Sequence, residues 1–173
     1  MLSFLRKITP DFVFSIYHWT LAKLSAFLYR YPSNKMMVIG VTGTNGKSST
    51  VQLIAQLLTL LGDKVGYTTT AGFKILNQEI ENKMKMTMPG RFVLQKLLRK
   101  MVKSGCTVAI IETSSQGVEQ FRHIGINYDT AVFTNLTPEH IEAHGGFENY
   151  KRAKGKFFQY LTKRPRKRNN GTI

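Results

Sequence analysis

The stretch Met36-Met-Val-Ile-Gly-Val-Thr-Gly-Thr-Asn-Gly-Lys-Ser-Ser49 decides the fold, because an apolar run typical of a buried strand leads through a glycine turn into a helical pattern. Glycines let backbone N–H groups approach a phosphate, and the helix N-terminus adds its positive end. Lys47 would neutralise the β- and γ-phosphates of a nucleoside triphosphate, and the Ser48 hydroxyl would hold Mg²⁺. A generic phosphate loop has glycine five positions before Gly46, where this chain has Val41. The motif therefore predicts a nucleotide site, with an ordinary glycine turn as the alternative.

Short β-rich runs alternate with helical patterns along the rest of the chain. The predicted strands cover residues 36–41, 64–69, 107–111 and 130–133. The predicted helices cover residues 48–61 and 92–102, each closed by a glycine. Residues 72–86 interrupt the alternation and predict a hairpin or a loop excursion. Because such alternation implies parallel pairing through right-handed crossovers, we expect an α/β fold: a mostly parallel, doubly wound sheet of P-loop type with helices on both faces.

The composition describes a globular protein with an unusual charge. The chain has 173 residues, of which 42% are hydrophobic and 20% charged, and its net charge is +15. These values suit one domain with a real core and exclude a disordered polyelectrolyte, while the charge predicts an anionic partner: nucleic acid, a membrane surface or a phosphorylated small molecule. Residues 151–168 supply nine basic and no acidic side chains. The single cysteine, Cys106, lies in an apolar run, so we expect it to be buried in a protein of a reducing, cytosolic compartment.

Residues 1–35 are predicted to form an N-terminal amphipathic helical segment before a domain predicted to cover residues 36–173. The segment has no glycine, and the prolines at positions 10 and 32 mark the predicted start and end of its helix. The predicted apolar stripe comprises Val13, Tyr17, Leu21, Leu24, Leu28 and Tyr31. Two interpretations stay open, since the helix could pack on its own domain or a partner, or lie on a membrane with Arg6, Lys7 and Lys23 facing anionic lipid. Charged residues interrupt the stretch, so a membrane span is not expected.

Four blocks of the chain resemble the Mur ligases, a family that uses ATP to join amino acids to the peptidoglycan precursor. The first is Thr42-Gly-Thr-Asn-Gly-Lys-Ser-Ser49, the family's variant phosphate loop, in which Val41 is no departure. The others are Glu112-Thr-Ser-Ser-Gln-Gly-Val-Glu-Gln-Phe-Arg122, Ala131-Val-Phe-Thr-Asn-Leu-Thr-Pro-Glu-His-Ile-Glu-Ala-His-Gly145 and Tyr150-Lys-Arg-Ala-Lys154. The second block looks like that of the third-residue ligases, which act on UDP-N-acetylmuramoyl-alanyl-glutamate. The resemblance covers residues 36–160 and implies an ATP-dependent amide-bond ligase.

Three further residues are predicted to bind Mg²⁺ together with Ser48. Glu112 ends a buried strand at the carboxyl edge of the sheet, opposite the phosphate loop, where its hard oxygens suit Mg²⁺; the alternative is a carboxylate satisfied by its neighbours. His140 follows the fourth strand and reaches the same edge, and the family's equivalent histidine binds a second Mg²⁺. Lys154 matches the family's carbamylated lysine, whose CO₂ adduct is a carboxylate ligand. Without that pattern, Lys154 would belong to a solvated helix face.

The resemblance also implies nucleotide and substrate contacts. The residues predicted to bind ATP are Gly43, Thr44, Asn45, Gly46, Lys47, Ser48, Ser49 and Asn135. The residues predicted to hold the sugar-peptide substrate are Thr87, Ser114, Gln120 and Arg122. The guanidinium of Arg122 suits a substrate carboxylate or phosphate. The chain departs from the family pattern at Met88, Gln116 and Glu139, which concern substrate and amino-donor contacts more than ATP.

The implied reaction is carboxylate activation, in which ATP phosphorylates a UDP-N-acetylmuramoyl-peptide and an amino acid attacks the acyl phosphate. The predicted catalytic residues are Lys47, His140 and Lys154, the cofactors are ATP and two Mg²⁺, and the compartment is the cytoplasm, at the inner face of the membrane if residues 1–33 bind lipid. The family's UDP-binding and C-terminal domains have no counterpart here, so we expect a partial chain that does not ligate alone. The alternatives are a basic nucleic-acid- or membrane-binding module using residues 163–168, although no nucleic acid is expected, and a folylpolyglutamate- or cyanophycin-type amide ligase.

Overall fold

Six strands form one mixed sheet in the computed structural model, which describes residues 11–138, 141–163 and 167. The strands are β1 (Met37–Thr42), β2 (Val65–Thr68), β3 (Gly72–Ile75), β4 (Gln78–Glu81), β5 (Val108–Glu112) and β6 (Thr130–Phe133). Their order across the sheet is β4-β3-β2-β5-β1-β6. Strands β2, β5, β1 and β6 are parallel, whereas β3 and β4 form an antiparallel hairpin on the edge of the sheet. The four predicted strands are confirmed, and the excursion at residues 72–86 contains a hairpin.

Helices cover both faces of this sheet. Within the described residues the α-helices are α1 (Asp11–Leu28), α2 (Lys47–Leu60), α3 (Arg91–Lys103), α4 (Ser115–Glu119) and α5 (Phe147–Thr162). Short 3₁₀ turns cover Pro32–Lys35 and Ile141–His144. Side chains of α3 and α5 pack on one face of the sheet and those of α2 on the other, so the predicted doubly wound α/β fold is confirmed.

The central strands bury both of their faces, which explains their continuous apolar sequence. All five side chains of β5 are buried, as expected for a parallel strand covered by helices on each side. Cys106, just before β5, is buried as predicted, and burial raises the pKa of its thiol. On α2, Val51 and Ala55 are buried, whereas Leu57 and Leu61 are 61% and 80% exposed. Only one edge of the apolar side of α2 therefore meets the sheet.

Helix α1 packs on the same chain, but not through its predicted apolar stripe. Ala22, Ser25 and Ala26 are fully buried, and a Cβ added to Gly125 would come within 2.7 Å of the Ala26 Cβ. The helix backbone therefore approaches α3 and the turn at Gly125 too closely for large side chains. The predicted stripe faces outward instead; Leu28, for example, is 58% exposed. Across the described residues, no helix combines the length and apolar character needed to cross a membrane.

Parallel pairing brings the ends of several strands to one edge of the sheet. Val41 in β1 pairs with Glu112 in β5, and Thr42 pairs with Phe133 in β6. The loops that follow these strands therefore begin side by side, and the loop after β2 joins them from the next strand. This carboxyl edge is where open α/β sheets form ligand sites.

Candidate functional site

The loop between β1 and α2 is held by the segment that follows β6. A Cβ on Gly43 would lie 1.8 Å from Thr134 Oγ1, so glycine is required for this close approach. The backbone N–H of Thr44 donates to the Asn135 carbonyl at 3.0 Å, and that of Asn45 donates to Asn135 Oδ1 at 2.9 Å. Asn135, one of the predicted nucleotide contacts, therefore lies beside this loop, where it holds the loop's backbone.

The N-terminus of α2 is open toward the loop. Gly46 precedes the helix with φ 77°, a left-handed conformation that favours glycine, and no side chain of the N-cap residue satisfies the first N–H groups. Lys47 folds back so that Nζ donates to the Thr44 carbonyl at 2.6 Å. Ser48 and Ser49 follow in the first turn, where Ser49 is exposed. Free N–H groups, the helix dipole and a lysine at one point can hold an anionic phosphate.

Glu112 lies beside the phosphate loop in a set of hydroxyl contacts. Its side chain is buried, at 2% exposure, and Oε2 accepts a 2.7 Å hydrogen bond from Ser48 Oγ. The Thr70 backbone N–H donates to the same oxygen at 2.8 Å, and the Thr70 hydroxyl reaches Oε1 at 3.2 Å. Thr70 Oγ1 also lies 2.9 Å from Thr87 Oγ1, whose hydroxyl can donate to it while Thr70 donates to the carboxylate. The two predicted metal ligands, Ser48 and Glu112, are thus brought together.

Sequence reasoning missed Thr70. The available signal was its position directly after a parallel strand, because residues there reach the same edge as Glu112.

The other predicted metal ligands have different outcomes. His140 and Glu139 lie outside the described residues. In the part of the chain that the structure describes, no three His, Cys, Asp or Glu side chains cluster closely enough to hold a metal ion. The donors present are hard oxygens, the Ser48 hydroxyl and the Glu112 carboxylate, which suit Mg²⁺ when nucleotide phosphates complete its shell.

Lys154 points from α5 into the phosphate loop. Its side chain is buried, and Nζ donates to the Gly43 carbonyl at 2.7 Å while lying 4.5 Å from the centre of the Tyr150 ring. The alternative of a solvated helix face is therefore wrong. Burial, reinforced by the nearby positive Lys47, lowers the pKa of Lys154 to about 8. About a tenth of such amines would be neutral at pH 7, far more than for an ordinary lysine.

A network that the sequence did not single out connects the same loops. The Tyr150 hydroxyl forms a 2.9 Å hydrogen bond with Thr44 Oγ1, in which either hydroxyl can donate. The Tyr150 ring packs against His144. His144 Nε2 lies 3.0 Å from Ser115 Oγ, and its Nδ1 lies 3.2 Å from the Glu119 carboxylate. Tyr150 and His144 stand inside two of the family-like blocks, which was the signal available in the sequence. These contacts tie α4 and α5 to the phosphate loop.

The network lines a cavity of about 230 Å³ at this edge of the sheet. Its lining residues are Gly43, Thr44, Lys47, Thr87, Ser114, Ser115, Gln116, His144, Tyr150 and Lys154. A larger cavity of about 570 Å³ lies between α2 and the β3–β4 hairpin, but it contains none of the predicted site residues. The smaller cavity is the better candidate site because the phosphate loop and the buried lysine converge on it.

The predicted substrate residues divide into two groups. Thr87 and Ser114 line the cavity, where Ser114 also accepts a hydrogen bond from the Gly117 N–H and so caps α4. Gln120 and Arg122 do not line it. Arg122 donates to Gln120 Oε1 and to the Met88 carbonyl, and burial, with Arg91 nearby, lowers its pKa.

Only two members of the basic run 163–168 are described, Lys163 and Lys167. Lys167 donates to the Met36 carbonyl at 2.8 Å and pairs with Asp129. This contact joins the run to the start of β1, so Lys167 has an intramolecular role.

The chain is similar to known proteins over most of its length. The Mur ligase middle domain matches residues 41–167. The UDP-N-acetylmuramyl-tripeptide synthetase of Treponema denticola is 44% identical over 150 residues, which cover 86% of this chain and 28% of that protein. The UDP-N-acetylmuramoyl-L-alanyl-D-glutamate–2,6-diaminopimelate ligase of Bacillus cereus is 39% identical over 142 residues, which cover 82% of this chain and 28% of that protein. The chain thus spans about 28% of the length of these relatives.

Solved structures agree with this similarity. A UDP-N-acetylmuramoyl-L-alanyl-D-glutamate–2,6-diaminopimelate ligase matches with a TM-score of 0.65 and 36% identity, over 72% of this chain and 25% of that one. E. coli FolC, solved in complex with DHPP and ADP, matches with a TM-score of 0.61 over 78% of this chain and 38% of the FolC chain. At 22% identity, the second match concerns the fold alone.

Proposed function

The chain belongs to the Mur ligase family, and from this membership we propose that it is the ATP-binding domain of a ligase that extends a UDP-N-acetylmuramoyl-peptide by one amino acid. One observation carries the proposal: Lys47, Ser48, Glu112 and Lys154 converge from three separate segments on the loop between β1 and α2. A glycine turn serving only as a connection would not require a buried carboxylate and a buried lysine beside it. The division of the chain at residue 36 remains a prediction.

We assign ATP to the phosphate loop. Residues 43–49 would surround the triphosphate with backbone N–H groups, and Lys47 would leave the Thr44 carbonyl to reach the β- and γ-phosphates. Asn135 supports this arrangement by holding the loop's backbone at two points. Ser48 and Glu112 would hold Mg²⁺, which supplies positive charge at the transferring phosphoryl group.

We further propose that Lys154 is carbamylated and, with His140, ligates a second Mg²⁺. Carbamylation needs a neutral amine, and the lowered pKa of Lys154 provides one near neutral pH. The adduct converts a cation beside Lys47 into an anion, so it would also remove a like-charge repulsion at the loop. Lys47, His140 and Lys154 are accordingly the proposed catalytic residues.

The proposed reaction has two steps. A carboxylate oxygen of the muramoyl-peptide attacks the γ-phosphorus of ATP, and ADP leaves with the electron pair of the broken P–O bond. The amine of an amino acid then attacks the acyl carbon, phosphate leaves, and the nitrogen loses a proton to give the amide. This chain contributes positioning and positive charge, chiefly through Lys47, where charge develops.

Substrate recognition is assigned to the cavity and its rim. Thr87 and Ser114 have hydroxyls in the cavity, where the peptide end of the substrate would lie next to the phosphate loop. Gln120 and Arg122 would contact a more distant carboxylate or phosphate of the same substrate. Because ATP and nucleotide-linked sugars are intracellular metabolites, we propose the cytoplasm as the compartment, with α1 as a contact to the inner face of the membrane.

Calorimetric titration with Mg·ADP and with a UDP-N-acetylmuramoyl-dipeptide tests the proposal. We expect both ligands to bind the purified chain. Lys47→Ala should lower the affinity for Mg·ADP by at least about tenfold, since a direct charge-assisted contact is lost. Lys64→Ala is the matched control, because Lys64 is exposed and precedes β2 at the opposite edge of the sheet.

Two results would contradict the proposal. One is failure of the folded chain to bind Mg·ADP. The other is equal binding by wild type and Lys47→Ala, which would exclude the phosphate loop as the nucleotide site. Tighter binding of dihydrofolate than of the muramoyl-dipeptide would redirect the substrate assignment to the folate-type ligases.

A further inference from the structure

The outward side of α1 is a large apolar surface that the rest of the described chain does not cover. We call it the α1 face, and its side chains are 44–64% exposed. Its members are Phe12, Ile16, Tyr17, Trp19, Leu24, Phe27 and Leu28. The opposite side of the helix carries the small, fully buried Ala22, Ser25 and Ala26. Thus α1 packs on the protein through small side chains and turns its large apolar side chains outward.

The extent of the α1 face calls for a partner. Helix α1 has 18 residues, so at 1.5 Å per residue the face runs for about 27 Å. Soluble surfaces tolerate scattered apolar side chains, whereas seven large apolar side chains exposed on one helix, four of them aromatic, mark an interaction site. Lys23 is the only described Lys or Arg within α1, and its Nζ lies 5.4 Å from the centre of the Trp19 ring.

The charge around the α1 face indicates an anionic partner. Helix α3, which packs against α1, carries five basic and no acidic side chains. Lys96, Lys100 and Lys103 are exposed on it. Residues 12–62 contain no acidic side chain at all. Helix α1 begins with one acidic residue, Asp11, so α1 and α3 together carry six basic side chains and one acidic one. This excess of positive charge would be attracted to a negatively charged surface.

We propose that α1 docks the protein on an anionic lipid membrane, with the α1 face inserted at the boundary between headgroups and acyl chains. Trp19, Tyr17 and the phenylalanines are suited to that boundary because their rings are apolar and two of them carry a polar tip. Lys23 also favours lipid over a protein partner. A protein interface would desolvate this cation, whereas lipid phosphates would pair with it while its stem follows the rings.

This inference rests on α1 and α3 and does not depend on the proposed ligase function. The nucleotide loop lies at the carboxyl edge of the sheet, and none of its residues belongs to the α1 face. Failure of nucleotide binding and failure of membrane binding are therefore separate results.

Trp19 reports on the proposal directly, because it is the only tryptophan of the chain and lies in the α1 face. The full chain is titrated with vesicles of phosphatidylcholine containing about 30% phosphatidylglycerol, and with pure phosphatidylcholine. We expect a blue shift of Trp19 emission with the anionic vesicles, quenching by brominated acyl chains, and weaker binding when salt is raised from about 0.1 to 0.5 M. Ile16→Gln/Phe27→Gln should lower the partition coefficient at least about tenfold, since two inserted apolar side chains are lost.

Leu53→Gln/Leu57→Gln is the matched control. It removes two side chains of similar exposure, 60% and 61%, from α2 on the other side of the sheet, and it should bind vesicles as wild type does. The proposal is overturned if Trp19 emission does not respond to anionic vesicles at low salt, or if the control loses as much binding as the α1 variant. It is equally overturned if sedimentation shows a dimer that Ile16→Gln/Phe27→Gln dissociates while vesicle binding is absent, because a second copy would then cover the face.

Discussion

Replacing Glu112 by glutamine separates the proposed metal binding from the structural contacts of this side chain. The carboxylate is buried and accepts hydrogen bonds from the Ser48 hydroxyl, the Thr70 N–H and the Thr70 hydroxyl. A glutamine oxygen in the place of Oε2 can accept the first two. Its NH₂ group in the place of Oε1 can donate to Thr70 Oγ1, whose own hydrogen can then turn to Thr87 Oγ1. All of these contacts can therefore survive the change of charge.

Glu112→Gln should change the free energy of unfolding little and the affinity for Mg·nucleotide strongly. Hydrogen bonds to a charged acceptor are stronger than neutral ones, but burying a neutral amide costs less desolvation than burying a carboxylate. These effects oppose each other, so the free energy of unfolding should change by less than about 1 kcal/mol. Mg²⁺ binding has no such compensation, because an amide oxygen carries no charge. We expect Mg·nucleotide affinity to fall by about 10- to 100-fold, equivalent to about 1.4–2.7 kcal/mol.

Calorimetric titration with ADP, once with Mg²⁺ and once with EDTA, measures the effect, and urea denaturation measures stability. Glu79→Gln is the control, since Glu79 is a carboxylate whose side chain is 76% exposed and pairs with Lys74 at 3.9 Å on the hairpin. The reasoning is refuted if Glu112→Gln binds Mg·ADP as wild type does. It is also refuted if the variant loses the same affinity in EDTA, because Glu112 would then act on the loop and not on the metal.

Three further predictions concern the loop and its supports. Gly43→Ala would force a Cβ to 1.8 Å from Thr134 Oγ1, so we expect it to cost about 1–3 kcal/mol of stability and most ADP affinity, with partial recovery in Gly43→Ala/Thr134→Ala measured by the same titration. Burial lowers the pKa of Lys154 from 10.5 to about 8, so between these pH values the unfolded chain binds more protons than the folded one. Wild type should therefore gain stability relative to Lys154→Met as the pH rises from 8 to 10.5. In CO₂-free buffer, a difference in urea midpoint between the two proteins that is the same at pH 7 and pH 10 would contradict this. Tyr150→Phe removes the 2.9 Å contact to Thr44 and keeps the ring, so we expect a loss of about 1 kcal/mol by urea denaturation, and a larger loss for Tyr150→Leu.

The proximity of Ser48 and Glu112 was predictable from sequence because both residues stand at positions that the fold class alone brings together. Ser48 opens the helix after one parallel strand, and Glu112 ends its neighbour. Parallel pairing places both at the carboxyl edge, so the 2.7 Å contact between them follows from topology. Lys154 needed the family pattern, since nothing in its own helix distinguishes it from the other lysines.

Local sequence accounts for the alternation of strands and helices, the glycine loop and the apolar character of the segment before it. Each of these depends on neighbours within a few residues, through the period of apolar side chains or the freedom of glycine. Periodicity also indicated that α1 is a helix. It could not indicate which side of α1 is covered, because the close approach at Gly125 selects alanine and serine over the larger apolar groups.

Contacts between residues far apart in the chain could be found only in the folded structure. Thr44 meets Tyr150 across 106 residues, Thr70 meets Glu112 across 42, and Ser115 meets His144 across 29. The residue types allow these hydrogen bonds without requiring them, since tyrosine, threonine and histidine can bond to many partners. Which pairs form depends on how the loops after β1, β2, β5 and β6 pack at one edge of the sheet, and that packing is a property of the whole fold.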